Sequence, residues 1–407
     1  MIYTLITILA GLLPLYVVRF SIAGIPTNLF EVMVWSVLLI ALSNPRFRKY
    51  LLGAMLGISF VYRVWVILFV VAALLATFYS PVLRSSLGIL KSWIVTPIMF
   101  SFLLYLVGIK RGRKEILYSF VCSGLVVALI GLSQIRNFER IAALYDVPNS
   151  LALFLAPIAV LSIWLWIRGR DRFYGIGAIF LLTAIIATQS FGAMAAIIGC
   201  LIGGLIFSWR TVPSVSAKKL ILGLLLTVLC AGAVFFASGR LHYILLPLSD
   251  RSFGNSVTVR LQLWDIGIRL IQKNPLLGVG LGQFEQAYQA ELHGLFSKQR
   301  AGLWNGLYVL QHEFVFRDPH NWILSFYLNM GLLGLVSFVA LNSFVIGAWS
   351  QAIKHADIYQ QASILAVVCM LLFGLVDTIY WKNDLSALWW AFFTLSLLPT
   401  LHRIPRA

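Results

Sequence analysis

The chain has 407 residues, 60% of them hydrophobic and 11% charged, with mean hydropathy +0.92 and a formal net charge of +17. A soluble core of this length does not need so much apolar surface, so the bilayer is the expected solvent. The apolar runs are continuous and not alternating, which excludes a β-barrel and predicts an all-α, polytopic integral membrane protein.

Twelve runs approach the roughly 20 apolar residues that a spanning helix needs. They cover about 2–18, 27–43, 62–79, 87–108, 115–134, 150–167, 173–188, 190–208, 219–237, 320–349, 360–378 and 384–401. The first lacks a basic flank and is expected to stay as a helix. About 12 transmembrane helices result: nine in 1–237, one large outer loop at 238–319, and three more helices in 320–407. "NPRFRKY", "KRGRKE", "RGRDRF" and "WRTVPSVSAKK" follow the second, fourth, sixth and eighth runs. Positive loops stay inside, so both termini are expected in the cytoplasm. The positive charge thus reports topology and attraction to anionic membrane lipids, and no nucleic acid is expected as a partner.

Polar landmarks fall on the opposite, outer side. "TNLFE" places Glu31 near the outer end of the second run. "RNFERIAALYDVPNSLALFLAP" brings Arg136, Arg140, Tyr145, Asp146, Pro148 and Asn149 to the head of the sixth. "IATQSFGAM" suggests a polar helix break at Gln189 and Ser190. Cys122, Cys200, Cys230 and Cys369 lie inside apolar runs without metal or pairing spacing and are expected to be packing residues.

The loop 238–319 has no low-complexity character and is expected to fold. The loop and the residue after it hold four of the six histidines, His242, His293, His312 and His320. The loop also holds eight of the 31 basic residues, Arg240, Arg251, Arg260, Arg269, Lys273, Lys298, Arg300 and Arg317. A solvated ectodomain would explain this; so would a cationic site for an anionic substrate at the membrane surface. Residues 255–275 read as an amphipathic helix, capped at Asn255 or Ser256 and stopped by Pro275. Its polar face carries Gln262, Asp265, Arg269 and Lys273, with Asp265 and Arg269 spaced to pair. Arg260 points the other way, in line with Trp264, Gly267 and Ile271, where it must either snorkel to headgroups or meet an anion. "NPLLGVGLGQF" lacks the Lys-Ser/Thr of a P-loop, so Gly278, Gly280 and Gly282 suggest close backbone re-entry.

In "RDPHNW", Asp318 is read as the N-cap and Pro319 as the first helical residue, which puts His320 and Asn321 in the first turn. The helix dipole and Arg317 would keep His320 neutral, fit either for interfacial hydrogen bonding or for general-base work on a hydroxyl. No HExxH, DxD or Cys/His cluster calls for a metal.

Together, Arg260 with Trp264, "NPLLGVGLGQF", and "HNWILSFYLNMGLLGL" resemble the O-antigen ligase and O-antigen polymerase superfamily of bacterial envelope glycosyltransferases. They match its R-x3-W, its N-P-x2-G-x-G-x-G-x-F, and its H-N-x2-L followed by G-x2-G. "YDVPNSLALFLAP" is similar to the family's P-N element, with Arg140 at the place of an upstream arginine. The sequence departs from the family at Ser190-Phe191-Gly192, where a Ser-Arg-Gly is usual, and at "ALYDV", where Gly-Thr-Phe or similar precedes the P-N element.

The resemblance implies a GT-C-like, inverting, metal-independent transferase of the bacterial inner membrane, with a periplasmic active site and no cofactor. Its donor would be a glycan on polyprenyl (undecaprenyl) diphosphate and its acceptor a lipid or glycan hydroxyl such as that of lipid A-core. It assigns His320 as the base, Arg260 and Arg140 to the diphosphate, and Asn321 and Trp264 to site geometry; Asn149 and Arg317 are further substrate-binding candidates. A polymerase and a protein O-oligosaccharyltransferase share this chemistry. From another class, a lipid-linked glycan flippase would suit twelve helices, but its usual two similar halves are absent from this lopsided chain.

Overall fold

The computed structural model describes residues 2–22, 24–136, 139–208, 221, 223, 225, 229, 232–239, 256–297 and 316–401. The described residues are almost entirely helical, with one exposed β-hairpin of β1 (Arg19–Ile22) and β2 (Ile25–Asn28) after α1 (Ile2–Gly11). His242, His312, Arg240, Arg251, Lys298, Arg300, Cys230 and about half of the run 219–237 lie outside the described residues.

The Asn28 side chain accepts the Glu31 N–H and opens α2 (Leu29–Ser43). Asn44 closes α2 and, through its own side chain, accepts the N–H groups of Arg46 and Phe47 to open α3 (Pro45–Gly57). The two helices are bent by 106°. "NPRFRKY", expected as a loop, is thus the start of a helix, because an Asn cap followed by proline initiates one. Next come α4 (Phe60–Tyr79), α5 (Leu83–Arg111, with a π-helical turn at Leu90–Val95) and α6 (Lys114–Leu132). They are followed by α7 (Pro148–Gly169), α8 (Arg172–Thr188) and α9 (Phe191–Phe207). The expected break at Gln189 and Ser190 is present, with Gln189 left-handed (φ 53°) between α8 and α9.

Helix α7 is the axle of the bundle: 94% of its apolar window is buried, against 33–56% in the other long helices. Against it pack α8, α9 and α13 (Ile358–Phe373), while α14 (Asn383–Leu401) lies on α5, and α12 (Trp322–Lys354) on α4. Among the described residues, α4, α5, α6, α7 and α12 are long and apolar enough to cross a membrane, and the bent pair α2 and α3 would make a sixth span. Four further apolar helices, α1, α8, α9 and α13, and the stretch Asp384–Leu398 of α14 are shorter.

Two amphipathic helices, α10 (Ser256–Lys273) and α11 (Phe284–Ser297), stand apart with a small core of their own. Leu263, Ile266 and Leu270 of α10 meet Phe284, Tyr288 and Leu292 of α11 there, and Leu328 of α12 completes it. Asp265 and Arg269 pair as their spacing predicts, at 2.8 Å, and Lys273 pairs with Glu291. His293 is exposed on α11.

The segment 274–283 between them is the close re-entry read from the glycines. Gly278, Gly280 and Gly282 all have positive φ (68°, 98° and 75°). A Cβ on Gly278 would lie 2.4 Å from the Leu328 carbonyl oxygen. The segment takes Leu328 O with the Val279 N–H (2.8 Å) and offers Leu276 O to the Leu332 N–H (3.0 Å). These bonds are possible because α12 itself breaks at Gly331 (φ 66°), where peptide groups leave the helical ladder. On its other side Leu281 binds Ala76 O and the Ser86 hydroxyl.

Candidate active site

Between α13 and α14 the chain makes a short non-helical passage, 374–382, at the same end of the bundle as the N-terminus of α7 and the α10–α11 pair. Tyr380 anchors it: the ring is fully buried among Phe69, Phe326, Phe338 and Trp389, and its oxygen accepts the Trp390 indole N–H at 2.8 Å. With that anchor in place, five successive residues of the passage are each bound from outside. Gly374 O accepts the Trp322 N–H (2.8 Å), and Leu375 O accepts from the Asn321 amide (3.0 Å). Val376 O accepts Arg260 Nε–H (2.6 Å), Asp377 meets the His320 ring (2.9 Å), and the Thr378 hydroxyl donates to Asp318 (2.6 Å).

Asp377 is the centre. It is 3% exposed, with Oδ1 on His320 Nδ1 and on the Thr378 N–H (2.8 Å). Its Oδ2 accepts from Asn149 Nδ2 (3.1 Å) and lies 3.8 Å from Arg260 Nη2. Asn149 is turned by Arg140, whose Nη2 donates to Asn149 Oδ1 (2.7 Å) and whose Nε donates to Thr188 O at the end of α8 (2.8 Å). The structure therefore brings Arg140, Asn149, Arg260, His320 and Asn321 together around a carboxylate that falls within the apolar run expected at 360–378. An ionisable residue closing such a run was the signal available, since charge in an apolar segment needs a partner.

The local reading of "RDPHNW" needs correction. The cap of α12 is Asn321, whose side chain accepts the N–H groups of Ile323 and Leu324. His320 stands before the helix in a left-handed conformation (φ 52°), sparsely populated by residues other than glycine. Asp318 is buried and binds the His320 N–H, the Ser325 hydroxyl and the Thr378 hydroxyl.

The expectation that His320 is held neutral by the helix dipole is also overturned. Burial pushes its pKa down, but the hydrogen bond and charge of Asp377, with the charge of Asp318, outweigh burial and Arg260, and the net direction is up. Burial pushes Asp377 the other way, yet His320, the Thr378 N–H and Arg260 bring it down to about 2. The two groups form a pair in which the carboxylate is ionised and the imidazole has raised proton affinity. Nδ1–H faces Asp377, which leaves Nε2 as the basic nitrogen, and the ring is reachable, with its side chain 32% exposed.

Two expected site residues are elsewhere. Trp264 packs against the small α10–α11 core, where its buried indole N–H has no hydrogen-bond partner among the described residues. Arg317 points outward, 85% exposed and 3.8 Å from Glu285. Phe191, where the family usually carries arginine, stacks on Phe235 with ring centroids 3.8 Å apart.

A bundle of long apolar helices with arginines, a histidine and a carboxylate gathered at one end defines a polytopic membrane protein with a polar, cation-lined site. Residues 176–339 match the family model described as O-antigen ligase, so over this stretch the resemblance to the O-antigen ligase superfamily holds. The match takes in Arg260, Trp264, the glycine segment, His320 and Asn321; Arg140, Asn149 and Asp377 come from outside it. No curated protein matches the chain.

Proposed function

We propose that this protein is a glycosyltransferase of the O-antigen ligase kind, moving a glycan from a polyprenyl diphosphate to an acceptor hydroxyl such as that of lipid A-core. The observation that carries this is the shared carboxylate: Asp377 meets His320 on one oxygen and Asn149 and Arg260 on the other. A base and a cation are thereby fixed side by side.

In this reading His320 Nε2 takes the proton of the acceptor hydroxyl as its oxygen attacks the anomeric carbon. The bond from that carbon to the diphosphate oxygen breaks on the opposite face, and the configuration inverts. Asp377 stabilises the imidazolium so formed, as a carboxylate does for a catalytic histidine. Negative charge collects on the departing diphosphate, and Arg260, with Arg140 behind Asn149, supplies fixed positive charge there.

The basic residues Arg46, Arg48, Lys49, Lys110, Arg111, Arg168 and Arg170 lie at the end of the bundle opposite the site. By the positive-inside tendency this supports an outer-face site in the inner membrane, with both termini cytoplasmic. A donor whose tail stays in the bilayer would present its diphosphate there.

Purified protein is mixed with a polyprenyl-diphosphate glycan, with and without lipid A-core acceptor. Acceptor-dependent transfer that is lost in His320→Ala supports the ligase. Growth of the carrier-linked glycan without acceptor makes the protein a polymerase. Wild-type turnover by His320→Ala removes the base from the scheme, and carrier movement across liposomes without transfer would replace the scheme with a flippase.

A further inference from the structure

Asp318 is a buried carboxylate that the proposed chemistry does not use. It does not cap α12, since Asn321 does that. Its oxygens are spent on three donors: the His320 backbone N–H at 2.9 Å, the Ser325 hydroxyl at 2.8 Å and the Thr378 hydroxyl at 2.6 Å. Thr378 has a partner at each end, donating its N–H to Asp377 and its hydroxyl to Asp318. His320 is therefore held twice, by its ring on Asp377 and by its backbone on Asp318, with Thr378 tying the two carboxylates together.

We infer that Asp318 is a positioning residue for His320: it clasps the segment before α12 to the 374–382 passage and holds the histidine backbone in the conformation that delivers the ring to Asp377. This rests on the reading of His320 as the base. A left-handed residue that is not glycine is strained and persists only where its surroundings impose it. A carboxylate taking three donors is such an imposition, and it is anchored to both sides of the site. An amide keeps the clasp only in part, because its single oxygen accepts at most two hydrogen bonds where the carboxylate takes three donors, and it removes the second negative charge beside the imidazole. The groups facing that imidazole are Asp377 from the 374–382 passage, Arg260 from α10, Asp318 from its own segment, and the edge-on ring of Phe316.

The test uses Asp318→Asn, a near-isostere, in the full-length purified protein. Site-resolved carbethoxylation of His320 by diethyl pyrocarbonate across pH reads its proton affinity without any glycan. With the charge gone, the pH of half-maximal modification should fall by about one unit. In the transfer assay kcat should fall about tenfold with KM for the donor unchanged, as expected when an interaction acts on the reacting geometry and not on binding. The melting temperature reports fold separately. A folded Asp318→Asn that keeps the wild-type modification profile and kcat overturns the inference. Should Asp318→Asn not fold, Thr378→Val carries the test, because it keeps the N–H on Asp377 and removes only the hydroxyl on Asp318. Reduced kcat at unchanged KM supports the clasp, and wild-type kcat ends it. If the wild type transfers no glycan while the modification profile still shifts, the functional reading fails and the positioning role stands.

Discussion

His320 Nδ1 and Asp377 Oδ1 lie 2.9 Å apart across 57 positions of chain, joining the segment before α12 to the passage after α13. The bond orients the ring and stabilises its charged form. Asp377→Asn keeps the shape but puts an amide where an anion stood, so transfer should drop about 10²–10⁴-fold, the range spanned by losing general-base catalysis. His320→Ala should fall in the same range. The rates are measured by product formation at saturating donor, alongside melting temperature. A fully active, folded Asp377→Asn would show that the carboxylate has no part in the chemistry.

The pH dependence follows from the direction of the histidine shift. A base works in its neutral form, so activity is lost as pH falls through the folded pKa of His320. That pKa is raised, and the acidic limb of kcat should lie above the ordinary histidine value of about 6.5. The stability sign is opposite: the bond favours the protonated ring, so its contribution is complete below the unfolded value and is lost as pH rises through the folded one. Asp377, brought down to about 2, adds no limb of its own in the working range. A limb at or below the ordinary histidine value would contradict the paired arrangement.

Arg260 and Arg140 should separate by size of effect. Arg260 contacts the passage directly through Val376 O, whereas Arg140 reaches Asp377 through Asn149. Arg260→Ala should reduce kcat about 10²–10³-fold, the usual cost of removing a group aimed at developing charge. Arg260→Lys keeps the charge without the planar fork, and only part of that rate should return. Arg140→Ala should cost less, about tenfold, with Asn149 left to its own orientation. Equal losses for the two alanine variants would mean that the arginines act as one unit.

Much of this site was visible in the sequence because its cations and its histidine sit beside turns and caps, where polar residues stand out from apolar runs. Arg140, Asn149, His320 and Asn321 are legible in that way, and Arg260 is legible from its place on the apolar face of its helix. Asp377 was not, because hydrophobic periodicity runs on from α13 through "FGLVD" and hides where the helix stops. The register of the "RDPHNW" segment was misread for a related reason: both Asp318 and Asn321 are good caps, and only the tertiary bonds of Asp318 to Ser325 and Thr378 decide between them. Helix α3 was missed because basic residues in a short stretch look like a loop, whereas Phe47, Leu51 and Ala54 form a buried stripe at helical spacing. The glycine segment was read correctly as close packing, although which helix it packs against could not be known from local pattern.

Glycine substitutions test that packing without reference to catalysis. Gly331→Ala would place a methyl 2.1 Å from Leu276 O at a positive φ, and Gly278→Ala has a comparable clash with the Leu328 carbonyl. Each should destabilise the protein by roughly 2 kcal/mol or more, seen as a lower melting temperature and reduced yield. Gly347→Ala, in the same helix α12 with open space around it, should be neutral or should stabilise by about 0.5–1 kcal/mol. Indistinguishable melting temperatures for the two α12 variants would show that the close approach is not maintained in the membrane.

The interlock of Gly278 with Gly331 also has a mechanical meaning. Backbone grips backbone on both sides of the kink in α12, with the Val279–Leu328 and Leu332–Leu276 bonds acting as paired rivets. Arg260 is carried on α10, just ahead of the rivet, and His320 on the approach to α12, just before it. Any tilt of the small two-helix unit would therefore be transmitted to base and cation in step, and their separation would be preserved while both move relative to Asn149 and Arg140 on the far wall. The 374–382 passage, held in the core by Tyr380, would not follow such a tilt, so the bonds that part first would be those of Arg260 to Val376 O and of His320 to Asp377.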